Sequence, residues 1–337
     1  QPFLTDYVVR DIVAPVPGTY ADRIRTSYLP GALYLAEYQD NLYGFPTELM
    51  SQGLAYNSVV FNQAGLPDEA PQTWEELRDF ARKIALRRDD GTLERAGYGI
   101  MDYATPVIAF ILTYSRSHGG NPVSSDLRSV NFSEPQSVDS VAYLKALYLE
   151  DRTAVLGLPG WAEDKLGMFF AHGPWQAQGF RLVGPEFYSG LRSALPPAGP
   201  VGRVTTFYGY LWAVTPYTAH PQEAYDFLFW LSTEETERGT TRMGDVLEAL
   251  GSIPVTPADA RNQPSMQEPF MQGFLAAITS EAATPIPPIP AWLESFLELG
   301  TLARQAIIGE LPEVEAMRRA DQFIQLRIDE YYETYDI

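Results

Sequence analysis

The side chains that most often perform enzymatic chemistry occur in this chain, but their spacing matches no catalytic or metal-binding motif. The sequence contains no HExxH, GxSxG, GxGxxG, P-loop or EF-hand pattern. Its three histidines, His118, His172 and His220, stand beside glycine or proline without the spacing of metal ligands, which predicts structural roles. Paired carboxylates at 75–76 and 234–235 lie in amphipathic helical patterns and are interpreted as solvated faces. We therefore predict neither an enzyme nor a bound cofactor or metal.

Polar residues occupy the middle of one strand-like stretch, residues 42–57, which reads LYGFPTELMSQGLAYN. A purely structural strand would carry alternating apolar side chains, whereas Glu48, Ser51 and Gln52 stand at its centre. We predict an extended segment that contacts a ligand through Glu48 and Ser51. An ordinary half-buried strand is the alternative.

Composition limits the classes of protein that this chain could be. Its 337 residues, 45% hydrophobic and 13% aromatic, predict a folded protein of roughly two domains. The formal net charge of −19 argues against nucleic acid or anionic lipid as a partner, since both attract lysine and arginine patches. The lack of cysteine excludes disulfides and thiolate metal sites. The pattern predicts neither a membrane helix nor a signal peptide within these residues.

Apolar periodicity and breaker residues predict the main helices. Thr73 with Glu76 forms a capping-box pattern at a helix start. The predicted helices are a short one ending at Gly65, one starting at Thr73, one ending at Gly119, one each over 136–150, 162–170 and 220–239, one ending at Gly300, and one beyond Pro312.

Several short motifs follow one another in an order that resembles a known protein family. The order is YGFP, YN, F..AGL and P.TWEEL in residues 43–77, then GYGIM, GG, KLGMFFAHGPW, YGYLWAV, HPQEAYDFLFWLSTEE and SIPV. Each motif alone is weak, but together they extend over most of the chain. The series resembles the extracellular solute-binding proteins of ABC importers, in particular the carbohydrate-binding family that includes the maltose-binding proteins.

The resemblance implies an α/β fold of the two-lobed periplasmic-binding-protein type (type II) with a three-segment hinge. The implied parts are lobe 1 (1–46 plus 212–258), lobe 2 (53–207 plus 265–337) and the hinge crossings 47–52, 208–211 and 259–264. The family has about 80 further residues before the first crossing, which include the opening βαβ units of lobe 1. Because bare strand edges favour aggregation, we expect either a separate N-terminal fragment or a chain that begins after a cleavage.

The resemblance also implies that aromatic residues bind a sugar in the cleft between the lobes. Pyranose rings stack on tryptophan or tyrosine, and their hydroxyls hydrogen-bond to polar side chains. Trp175 resembles the stacking tryptophan of the family's GPW motif, and Tyr208 and Tyr210 flank Gly209 on the second crossing. The further candidates are Tyr103, Trp161 and Trp292, the last of which resembles a C-terminal aromatic that closes the cleft. A place in the core is the alternative for Trp175 and Trp292, and Trp74, Trp212 and Trp230 are predicted to be core.

Two residues near the first crossing bear on the type of ligand. Glu48 occupies a position where relatives often carry an acidic residue, but Met50 stands where they commonly have aspartate. Losing that carboxylate removes an acceptor for sugar hydroxyls and adds an apolar surface. A less polar or modified sugar, or a non-sugar solute, therefore remains open.

By resemblance, the function is that of a receptor that closes over a small solute by hinge motion and presents it to an ABC permease. We expect an extracytoplasmic location, with a lipoprotein anchor in the full-length form. The alternative is a scaffold that serves as a structural or interaction subunit of a larger extracytoplasmic assembly, since a fold does not determine function. A glycosidase is a third interpretation, but the sequence offers no supported pair of catalytic carboxylates.

Overall fold

Eleven strands form one large and two small sheets in the computed structural model, which describes residues 3–335. In chain order the strands are β1 (Glu37–Tyr38), β2 (Asn41–Leu42), β3 (Phe45–Ser51), β4 (Gly53–Asn57), β5 (Leu86–Arg87), β6 (Leu93–Ile100), β7 (Ala154–Leu156), β8 (Leu166–Ala171), β9 (Leu191–Ala194), β10 (Thr205–Trp212) and β11 (Ala283–Pro285). The large sheet has the order β5-β6-β8-β4-β9, with β7 also paired to β6, and the small sheets are β11-β10-β3 and β1-β2. Strand β8 is parallel to β6 and antiparallel to β4, so the large sheet is mixed.

The stretch 42–57 is extended over most of its length and connects the two larger sheets. Strands β3 and β4 are separated by Gln52 alone, but β3 pairs with β10 in the three-stranded sheet and β4 with β8 and β9 in the large one. The side chain of Asn57 ends the extended run, because it accepts hydrogen bonds from the backbone N–H groups of Val59 and Val60 and caps the next helix. The predicted extended conformation is confirmed.

Fifteen α-helices pack around these sheets within residues 3–335. They are α1 (Leu4–Val9), α2 (Gly18–Ser27), α3 (Pro30–Leu33), α4 (Ser58–Gln63), α5 (Trp74–Ile84), α6 (Ala104–Ser117), α7 (Pro135–Lys145), α8 (Ala177–Val183), α9 (Pro185–Ser189), α10 (Pro221–Ser232), α11 (Arg242–Leu250), α12 (Pro257–Asn262), α13 (Pro269–Thr279), α14 (Trp292–Ile307) and α15 (Glu313–Tyr335). A π-helical turn over Ala146–Glu150 continues α7, so the helix predicted over 136–150 is confirmed.

The large sheet is covered by helices on both faces. Helices α5 and α6 pack on one face together with α7, α14 and α15, and α13 packs against β4 and β9 on the other. Every residue of β4 and β8 is buried as a result. Helices on both faces of a sheet with buried central strands are typical of an α/β protein.

The helix predicted over 162–170 is wrong, because Leu166–Ala171 form the central strand β8. A strand that is buried on both faces presents an uninterrupted apolar run, and such a run cannot be distinguished from a buried helix by periodicity. Two further helix ends were predicted at glycines and are wrong. Helix α14 continues through Gly300 to Ile307, and α10 ends at Ser232 rather than at Gly239. Gly300 lies on the buried side of its helix, where packing offsets the poor helix propensity of glycine.

Three tryptophans were predicted to lie in the core, and the prediction is correct for one of them and wrong for two. Trp74 is 3% exposed and packs against Phe110 and Tyr114. Trp212 and Trp230 are 52% and 43% exposed. Trp230 lies on the outward side of α10, where the Arg242 guanidinium stands 4.3 Å from its ring centroid.

Replacing Thr73 with alanine is expected to lower the free energy of unfolding by about 1 kcal/mol, the usual contribution of an N-cap. The Thr73 hydroxyl accepts a 3.1 Å hydrogen bond from the Glu76 backbone N–H, and the Glu76 carboxylate accepts one of 2.6 Å from the Gln72 backbone N–H. Urea unfolding followed by circular dichroism measures the loss. Thr73→Ser keeps the hydroxyl, so an equal loss in that variant would show that the cap is not its source.

Candidate functional site

Aromatic side chains from distant parts of the chain line one cavity of about 330 Å³. We call it the aromatic cavity. Its lining residues are Phe3, Tyr103, Thr105, His172, Trp175, Tyr208, Tyr210, Ile286, Trp292 and Leu293. The set includes several of the residues that the sequence predicted to bind a ligand, namely Tyr103, Trp175, Tyr208, Tyr210 and Trp292.

Four chain segments position these predicted residues. Strand β10 places Tyr208 and Tyr210 on the same side, since alternate residues of a strand point to the same face. Tyr103 immediately precedes helix α6, Trp175 lies in a 3-10 turn between β8 and α8, and Trp292 is the first residue of α14. Element ends, rather than element centres, therefore supply most of the rings.

The glycine between the two tyrosines is required by the close approach of two strands. A side chain at Gly209 would collide with the backbone carbonyl of Glu48 on the paired strand β3 and with Leu35. Glycine leaves this space free, so β10 can lie against β3 and hold Tyr208 and Tyr210 at the cavity.

The aromatic cavity is uncharged. No aspartate, glutamate, lysine or arginine is among its lining residues, and its polar groups are phenol, hydroxyl, indole and imidazole. Trp292 is 7% exposed, and its indole nitrogen has no hydrogen-bond acceptor within residues 3–335. A site of this kind suits a neutral ligand with an apolar face and some hydrogen-bonding atoms.

A buried hydrogen-bond network supports one wall of the cavity. The Nδ1 atom of His172 lies 3.0 Å from Nε2 and 3.2 Å from Oε1 of Gln52, the residue that joins β3 to β4. The His172 ring stacks on the Tyr208 ring at 4.7 Å between centroids, and the Tyr208 hydroxyl donates to the His172 carbonyl over 3.3 Å. The Gln52 backbone N–H donates to the carbonyl of Thr206 on β10 over 2.9 Å. This wall is therefore tied to the segment that connects the two sheets.

Burial keeps the titratable groups of this wall neutral. It lowers the pKa of His172 to about 3, so the imidazole is uncharged at neutral pH. It raises the pKa of Tyr208 and of Tyr210, and the nearby Glu48 carboxylate raises both further, so both phenols retain their protons. Burial also raises the pKa of Glu48, whose carboxylate accepts a hydrogen bond from the Ser252 hydroxyl.

The other predicted site residues lie outside the aromatic cavity. Glu48 is the cross-strand partner of Tyr210 but is not a lining residue. Ser51 is fully buried and donates a 2.8 Å hydrogen bond to the carbonyl of Phe274. Trp161 is 3% exposed and packs edge-to-face on Phe169. A ligand contact by these residues stays a prediction.

Sequence reasoning did not anticipate half of the lining residues, namely Phe3, Thr105, His172, Ile286 and Leu293. His172 was interpreted as a structural residue beside a glycine, although it belongs to the same HGPW segment as Trp175. Ile286 and Leu293 flank the proline cluster before Trp292. The one signal in the sequence that could have identified these residues is their closeness in the chain to a predicted aromatic residue. Phe3 has no such neighbour.

Lowering the pH from 7 to 5 is expected to reduce the free energy of unfolding of the wild type by about 2 kcal/mol more than that of His172→Gln. The histidine pKa is about 6.5 in the unfolded chain and about 3 in the folded one, so the unfolded state takes up a proton first. The contribution of the neutral His172 to folding stability is therefore complete above about pH 6.5 and is lost as the pH falls towards 3. Urea unfolding of both proteins at pH 7 and pH 5 measures the difference, and parallel pH profiles would contradict the buried neutral imidazole.

Helices of the described residues are all too short or too polar to cross a bilayer. Within the same residues, no group of histidine, aspartate and glutamate side chains is arranged to hold a metal ion.

Comparison with known proteins identifies the family. The family model for the bacterial extracellular solute-binding proteins matches residues 4–238, which is more than half of the chain. A binding protein of Brucella abortus (strain 2308) is 22% identical over 339 residues, covering 96% of this chain and 78% of the relative. The family consists of binding proteins, which confirms the prediction of a binding function rather than an enzymatic one.

Solved structures confirm the predicted fold class. A solute-binding protein of an ABC transporter from Thermotoga lettingae, bound with α-D-tagatose, has a TM-score of 0.79 and 20% identity, covering 96% of this chain and 82% of its own. The GacH receptor of Streptomyces glaucescens, solved without ligand and with acarbose, has the same TM-score and identity, covering 97% of this chain and 82% of its own. The sugar-binding protein MalE of Xanthomonas citri has a TM-score of 0.77 and 16% identity, covering 99% of this chain and 84% of its own. The chain therefore belongs to the bacterial extracellular solute-binding protein family and has its two-lobed α/β fold.

Proposed function

We propose that this protein is the substrate-binding component of an ABC-type sugar importer, which captures a mono- or oligosaccharide in the aromatic cavity and delivers it to a membrane permease. The observation that carries the proposal is the convergence of Tyr103, Trp175, Tyr208, Tyr210 and Trp292 on one uncharged cavity. Flat rings stack on the CH faces of a pyranose, while phenol and indole groups hydrogen-bond to its hydroxyls.

The structural relatives support a sugar as the ligand class. Proteins of similar fold have been solved with α-D-tagatose, acarbose or mannotriose bound. The cavity volume of about 330 Å³ suits one or two sugar rings. The lack of a lining carboxylate favours a sugar with a larger apolar surface, in line with Met50, which is 3% exposed and holds the position where an acidic residue was expected.

Capture by closure requires that the ligand touch both lobes. In the proposed division, Tyr103, Trp175 and Trp292 belong to lobe 2, and β10 carries the second crossing. Phe3 lies in the range of lobe 1, but its ring packs edge-to-face on Trp292 of lobe 2. A ligand bound to these groups favours the closed arrangement to the extent that the rest of lobe 1 adds contacts to it on closure. Delivery to a permease, an extracytoplasmic location and a lipoprotein anchor in the full-length form are further parts of the proposal.

Sugars are expected to change the intrinsic tryptophan fluorescence in a saturable manner, because Trp175 and Trp292 line the cavity. Titration with a panel that includes tagatose, maltose, mannotriose and acarbose measures the dissociation constants. Trp175→Ala should weaken binding by about tenfold or more, since stacking and burial of one ring contribute about 1.5 kcal/mol or more.

Trp230→Ala is the matched control for this titration. Trp230 has the same 43% exposure as Trp175 but lies on α10, outside the cavity, so its loss should leave the dissociation constant unchanged. No response to any sugar of the panel, or equal weakening by both variants, would contradict the proposed site.

Binding of an active sugar is also expected to reduce the radius of gyration, because a ligand held by both lobes favours closure. Small-angle X-ray scattering with and without the sugar measures the change. Trp175→Ala at a sugar concentration below its own dissociation constant should keep the ligand-free radius. Saturable binding with an unchanged radius would keep the sugar site and refute closure.

An interaction subunit without a solute is the second candidate function. It is favoured by the stacked pair Phe227 and Trp230 on α10, which are 55% and 43% exposed. Exposed aromatic pairs are common at protein interfaces. The sugar titration separates the candidates, because an interaction subunit gives no saturable fluorescence change.

A further inference from the structure

A second cavity, of about 540 Å³, lies on the other side of residues 284–287, which include the end of β11. Thr284, Pro285 and Pro287 line this second cavity, whereas Ile286 between them lines the aromatic cavity. Beyond this segment its walls include Tyr34, Arg116, Asn121, Val123 and Val204. We call it the Arg116 pocket.

The guanidinium of Arg116 has no ion-pair partner within residues 3–335. Its Nη1 donates to the Thr284 hydroxyl over 2.8 Å and to the Pro285 carbonyl over 3.4 Å. Both acceptors are neutral. The Nε and Nη2 atoms, which form one edge of the guanidinium fork, have no hydrogen bond to the described residues. Arginine remains charged in proteins, so this pocket holds an uncompensated positive charge.

The surroundings make that charge costly. Burial lowers the pKa of Arg116, and the Tyr34 phenol is the neighbouring group that opposes this shift. Two carboxylates close to the lining residues form no ion pair with Arg116: Glu134 accepts from the Asn121 backbone N–H over 3.1 Å, and Asp126 accepts from the Ser124 hydroxyl over 2.6 Å. A partly buried cation without a counter-charge is destabilising, and a bound anion would offset the cost.

We infer that the Arg116 pocket binds a small monocarboxylate with an apolar body. One guanidinium edge matches the two oxygens of one carboxylate in a bidentate pair. A single positive charge balances a single negative one, which favours a monocarboxylate over a phosphate dianion in a chain of net charge −19. Val123, Val204 and Leu127 line the remainder of the pocket and suit an alkyl or ring body.

This ligand site is separate from the proposed sugar site. The two cavities share no lining residue, and the Arg116 pocket offers a charge where the aromatic cavity has none. The proposal goes beyond sugar binding and does not depend on it.

Isothermal titration calorimetry with hexanoate, at constant ionic strength, tests the proposal on the whole chain. Wild-type protein is expected to bind hexanoate in a saturable manner and not to bind hexanamide, which has a similar shape without the charge. Arg116→Gln should weaken hexanoate binding at least about tenfold, and Arg116→Lys should weaken it less, because lysine keeps the charge but not the fork.

Two further variants control for charge and for folding. Arg319→Gln removes the same charge from an exposed ion pair with Glu315 and should leave binding unchanged. Val204→Phe fills the pocket while keeping Arg116 and should abolish binding, with circular dichroism verifying the fold of each variant. Equal binding of hexanoate and hexanamide, no binding of hexanoate, or wild-type binding by Arg116→Gln or Val204→Phe would overturn the proposal.

Discussion

The antiparallel pairing of β3 with β10 is the constraint on which the rest of this structure depends. It joins segments that are far apart in the chain, with Phe207 opposite Ser51 and Tyr210 opposite Glu48. Strand β3 continues through Gln52 into β4 of the large sheet, so the small sheet and the large one share a single extended segment. Ladder hydrogen bonds specify register, and a slip of one residue would turn Tyr208 and Tyr210 away from the cavity.

Contacts between uncharged groups connect the β3–β10 pairing to the candidate site. Gln52 touches the His172 ring through its side chain and β10 through its backbone, and Tyr208 stacks on that ring. Charged groups here would need buried partners, and an unpaired one would be costly. The wall instead uses groups that burial leaves uncharged. The Arg116 pocket has the opposite character, since its cation is hydrogen-bonded to neutral acceptors and has no ion-pair partner among the described residues.

Local signals in the sequence predicted those elements whose ends carry specific side chains. Thr73 with Glu76 marked the start of α5, Pro221 marked the start of α10, and Asn57 marked the end of the extended stretch. Each of these acts within a few residues of itself, so no knowledge of distant neighbours was needed. The prediction failed for β8 and for the end of α14, because burial there comes from elements far away in the chain.

The sequence by itself determined the family, the α/β class, the extended stretch 42–57 and the aromatic residues that were worth testing as ligand contacts. Only the tertiary structure decided which of them meet: Tyr103, Trp175, Tyr208, Tyr210 and Trp292 share a cavity with the unpredicted His172, while Ser51 and Trp161 lie buried elsewhere. The exposure of Trp212 and Trp230 was likewise set by the fold. The physical reason is that residue type and spacing encode local conformation, whereas the walls of a cavity come from segments brought together only by sheet pairing and helix packing.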